Sequence, residues 1–63
     1  MTARVNKQGD VVIKQITNEC QLDDVHCMAE QSGCGYVQKD YGCSGIVSGT
    51  KTQISAFIKL WNN

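Results

Sequence analysis

Thr50-Lys51-Thr52-Gln53-Ile54-Ser55-Ala56-Phe57-Ile58-Lys59-Leu60-Trp61 is the most strongly patterned stretch of the chain, and its reading decides the fold. Ile54, Phe57, Ile58 and Trp61 fall at i, i+3, i+4 and i+7, the single apolar stripe of a helix. Lys51, Gln53, Ser55 and Lys59 lie off that stripe, and Leu60 flanks it. Thr50 stands three residues ahead of Gln53, the spacing of a capping box, so the helix is expected to start there. Trp61 is expected to anchor it in the core. One apolar stripe needs a surface to cover, and the rest of the chain has to supply it.

Residues 35–48 read as a hairpin that supplies part of that surface. Tyr36 to Lys39 forms one strand, Asp40-Tyr41-Gly42 the turn, and Cys43 to Ser48 the other strand. Gly45 inside a strand marks a bulge or a close neighbour. Residues 18–32 read as another helix, capped by Thr17 or Asn18, with Gln21 at the capping-box spacing and Gly33 closing it. On a wheel of about 100° per residue, Leu22, Val25, Met28 and Ala29 form its buried face. Residues 2–16 read as a second hairpin. Val11, Val12, Ile13 and Ile16 give its β-branched strand. Asn6 to Asp10 is the turn, and Ala3-Arg4-Val5 an edge strand or a tail. The expected order is (β)β-α-β-β-α: an α+β fold with a small antiparallel sheet of three to four strands and two helices on one face. At 63 residues a single domain spanning 1–63 is expected.

Gly35 to Gly49 followed by Gln53-Ile-Ser-Ala-Phe-Ile58 resembles the closing hairpin and helix of acylphosphatase-like, ferredoxin-fold domains. The resemblance covers less than half of the chain and implies shared geometry. The phosphate-binding loop and arginine of those domains have no counterpart upstream, so no activity carries over.

Six basic and six acidic side chains sum to zero. No basic stripe points to nucleic acid, and no apolar run approaches the roughly 20 residues of a membrane helix. The zero conceals an asymmetry. Residues 15–38 carry Glu19, Asp23, Asp24 and Glu30 without a cation, while Arg4, Lys7, Lys14, Lys39, Lys51 and Lys59 lie outside them. The N-terminus has no apolar run of signal-peptide type. A cytoplasmic chain is expected if Met1 is native, and a mature secreted domain if Met1 was added.

Cys20, Cys27, Cys34 and Cys43 are spaced C-x6-C-x6-C-x8-C. Zinc knuckles use C-x2-4-C, so a metal site built from these four thiols, with His26 as a fifth candidate, carries a weak signal. Cys20 and Cys27 share the polar face of the first helix, two turns or roughly 10 Å apart, beyond disulfide reach. Asp23, Asp24 and Glu30 disfavour a thiolate there. His26 sits at the border of the apolar face and is the one imidazole available to Cys20, Cys27 or Cys43 for a thiolate–imidazole couple. No Ser/His/Asp set, H-E-x-x-H, P-loop or dinucleotide-binding pattern is present.

The expectation is therefore a small non-enzymatic interaction or regulatory module without a cofactor. It is expected to be a homodimer, to act on a larger host protein, and to suit a phage or other mobile element. Its expected working surface is Asp23, Asp24, Cys27, Glu30 and Tyr41. The alternative is a cysteine-supported module, with either a zinc site of thiolate and imidazole ligands or two disulfides in an extracellular domain.

Overall fold

The computed structural model describes residues 1–63. Strand β1 spans Thr2–Val5 and β2 spans Val11–Lys14. Helix α1 covers Glu19–Ser32, β3 covers Gly35–Lys39, and a 3-10 turn occupies Asp40–Gly42. Strand β4 (Ser44–Ser48) and helix α2 (Lys51–Trp61) complete the chain. The sheet is four-stranded and antiparallel, in the order β1-β2-β4-β3. The fold is thus a mixed α+β domain of order β-β-α-β-β-α.

Because β2 and β3 both run antiparallel to β4, they are parallel to each other, with β4 between them and α1 as their connection. This is the split β-α-β arrangement of ferredoxin-like folds. The fourth strand position is filled here by β1 at the N-terminus.

Local chemistry accounts for the element ends. Asn18 caps α1, its side chain accepting from the Gln21 N–H at 2.9 Å, and Gly33 closes the helix in the left-handed region at φ 76°. The expected reciprocal bond from Gln21 is not made. Its side-chain oxygen instead accepts from the N–H and hydroxyl of Thr17, at 2.9 and 3.0 Å. At α2 the capping box is complete: Thr50 accepts from the Gln53 N–H at 3.2 Å, and the Gln53 side chain accepts from the Thr50 N–H at 2.8 Å.

The core is Val11, Ile13, Ile16, Val25, Ala29, Val47, Ile54 and Phe57, all buried. It lies between the two central strands and the two helices, and neither edge strand contributes to it. Phe57, fully buried, is the anchor of α2. Trp61, expected in that role, is half-buried and lies at 6.3 Å from the Phe57 ring. Leu22 and Met28 likewise border the core.

Strand alternation alone would point Ile16 away from Ile13. Gln15, at φ 62°, adds one residue to the phase and returns Ile16 to the core, where its N–H donates to the Cys43 carbonyl at 2.9 Å. Cys43 itself stands outside β4, as the residue closing the 3-10 turn. Gly45 marks a close neighbour rather than a bulge: its register with Gln38 and Ile13 is regular, and the Tyr36 phenol lies against its α-carbon.

Candidate interaction surfaces

The helices sit on one face of the sheet, and three surfaces follow from that. The first is the outer side of α1. Asp23, Asp24, Cys27 and Glu30 are all exposed, as helical spacing dictates. Tyr41 is fully exposed (105%), held in the left-handed region at φ 57°. The fold does not gather these five residues into one site. Tyr41 borders a crevice with Glu19 and Leu22 at the start of α1. Asp24 and Cys27 line a different one, with Met1, Met28 and Trp61.

The cysteines are dispersed as well. Cys20, Cys27 and Cys43 are exposed free thiols, and Cys34 is a half-buried free thiol that accepts from the Ser32 hydroxyl at 3.3 Å. No three of the His, Cys, Asp and Glu side chains converge on a point that would hold a metal ion. His26 packs its ring against Tyr36 at 4.7 Å. Tyr36 is the one group whose ionisation is clearly displaced: burial pushes its phenol above the ordinary value of 10.0.

The second surface is the sheet face opposite the helices. The strand register sorts it into rows. Arg4, Val12, Ile46 and Val37 form one ladder across all four strands. Thr2, Lys14, Ser44 and Lys39 lie beside it. Within the strands this face carries three cations and no carboxylate, and Asp40 holds the Ser44 hydroxyl at 2.8 Å on its rim. Val37 is half exposed (52%), so the apolar row faces water at its β3 end. The sequence shows Val12 only as part of a β-branched run and leaves its face open; the structure puts it, half-buried, on the side away from the helices. The signal for that was present in Lys14, two residues on, which marks the even-numbered side as wet.

The third surface is the β1 edge. All four β1 residues are exposed. On the helix side, a mostly apolar groove between β1 and α2 is lined by Ala3, Val5, Val11, Phe57, Ile58 and Trp61, with Arg4 and Asn62 at its margin. Val5, paired with buried Val11, is itself 48% exposed, because α2 does not reach over the edge strand.

Comparison with protein-family models, curated proteins and solved structures returns no match to this chain. No helix is long and apolar enough to cross a membrane.

Proposed function

We propose that this chain is a non-enzymatic protein-interaction module that operates as a self-associated unit. The observation that carries the reading is the one-sided coverage of the sheet. Two helices bury one face, while the Arg4-Val12-Ile46-Val37 ladder and the apolar β1–α2 groove stay open. A domain of this size has little core to spare, and apolar surface left in water is the usual mark of a partner. The separation of charge supports it too: cations cluster on the open sheet face and carboxylates on α1. That polarity steers and orients an encounter. Small carried regulators of a larger host machine, in a phage or other mobile element, would present such a surface.

Light scattering on the purified chain tests this across micromolar to millimolar concentration. A mass rising from 6.9 kDa toward twice that value supports the reading. A constant 6.9 kDa throughout contradicts self-association.

A further inference from the structure

We infer that a second copy of the chain docks on the β1 edge. The two β1 strands pair antiparallel about Ala3 and join two four-stranded sheets into one of eight strands. The inference rests on the reading of self-association above and names the surface that performs it.

The backbone directs the geometry. The Asn6 N–H donates to the Asp10 carbonyl at 2.8 Å and the Gly9 N–H to the Asn6 carbonyl at 3.1 Å, with Gly9 at φ 85°. This is the three-residue hairpin loop with a left-handed glycine, and it makes Asn6 and Asp10 a hydrogen-bonding pair. Such pairs alternate along an antiparallel ladder. In the observed register, Arg4 with Val12 and Thr2 with Lys14 are therefore the bonded pairs. The N–H and C=O groups of Ala3 and Val5 then point away from β2, to the open edge.

The side chains fit the same operation. When residues 1–5 pair with themselves in reverse about Ala3, Met1 meets Val5 of the second copy, Thr2 meets Arg4, and Ala3 meets Ala3. Apolar residues face apolar residues on the helix side, and a hydroxyl faces a cation on the outer side. No like charges oppose, and the residue on the two-fold axis is small. An isologous contact requires this self-complementarity. Centring the pair on Val5 instead would bring Ala3 against Lys7 in the loop and lose most of the strand. The groove beside the edge, lined by Phe57, Ile58 and Trp61, becomes interior on both sides of the axis.

The other edge is unlike it. Strand β3 directs Tyr36 and Gln38 to the helix side, carries Lys39 at its end, and runs straight into left-handed Asp40 and Tyr41. A charge and a backbone twist are the usual protections of a sheet edge. Strand β1 also carries one cation, Arg4, but it keeps regular register with β2 along its whole length and contains no left-handed residue. A standard interface takes about 800 Å² from each partner. The whole chain exposes 4384 Å², so five strand residues plus one groove make an interface at the small end of the range.

Sedimentation equilibrium of the full chain beside Ala3→Pro, Val5→Lys and Val37→Lys tests the assignment, with circular dichroism confirming that each variant is folded. Proline at position 3 removes an N–H that makes no bond to β2, which an edge strand tolerates. Lysine at position 5 places a charge in the groove. Both edge variants are expected to weaken the dimer at least tenfold, and Val37→Lys, on the open face, to weaken it far less. A dimer that survives both edge changes, or that yields only to Val37→Lys, overturns the edge assignment while self-association stands. A wild-type chain that remains monomeric overturns both.

Discussion

The Tyr36 phenol lies over Gly45, diagonally across the β3–β4 ladder. Tyr36 pairs with Val47 and Gln38 with Gly45, and a Cβ at position 45 would clash with the hydroxyl end of the tyrosine, its Oη and Cζ atoms first. Any side chain there must displace Tyr36 and with it the His26 ring that packs against it at 4.7 Å. Gly45→Ala is expected to cost about 1–3 kcal/mol, the range of an overpacked interior. In a Tyr36→Ala background the same change is expected to cost far less, because the clashing ring is gone. Urea denaturation of the four chains in the cycle measures the coupling.

The Tyr36 hydroxyl is buried without a hydrogen-bond partner, and burial raises its ionisation above 10.0. A raised acid favours the folded state only while it is neutral. The contribution is therefore full below the unfolded value, and declines as pH climbs through 10 toward the folded value. Tyr36→Phe removes both the ionisation and the orphaned hydroxyl. It is expected to be at least as stable as wild type at neutral pH and to lose less stability above about pH 10. Thermal unfolding followed from neutral to alkaline pH checks the difference.

Phe57 is 0% exposed and is the largest of the fully buried side chains. Phe57→Ala is expected to cost about 3–5 kcal/mol. A core this small rarely supplies more than about 3–5 kcal/mol. The variant is accordingly expected to lose its helical circular dichroism at room temperature, and a folded Phe57→Ala would show that the core is not centred there.

At the start of α2, the Thr50 hydroxyl and Gln53 side chain satisfy each other's backbone N–H groups. Thr50→Ala is expected to cost about 1 kcal/mol in chemical denaturation. Thr50→Ser should recover most of it, since serine offers the same acceptor.

The thiols should report their burial. Cys20, Cys27 and Cys43 are exposed and Cys34 half-buried beside Ser32. An aromatic disulfide reagent is expected to titrate three thiols quickly and the fourth slowly in the native chain. Intact mass after alkylation without reductant should show four modified cysteines. A mass lower by two or four alkyl groups would reveal a disulfide.

Both helices were legible because their ends are signalled locally, by Asn18 and Gly33 for α1 and by Thr50 with Gln53 for α2. The strand order was not local. Val12, Ile46 and Val37 lie far apart in the chain and share a row only through two antiparallel registers. Gln15 hid another feature: its positive φ lets Ile16 join the core against the alternation. For the surface, helical spacing placed Asp23, Asp24, Cys27 and Glu30 on the exposed side of α1. It did not reveal the groove, because Ala3 and Val5 meet Phe57, Ile58 and Trp61 only when the two ends of the chain pack together.

Amide hydrogen exchange at Ala3 and Val5 tests the edge pairing most directly. In a single chain both N–H groups face solvent from the β1 edge, so they exchange rapidly at any concentration. If β1 pairs with its copy, their protection rises with protein concentration while Thr2 and Arg4, bonded to β2, change little. Rapid exchange of Ala3 and Val5 up to millimolar chain, in a sample that light scattering shows to be dimeric, would contradict pairing through β1.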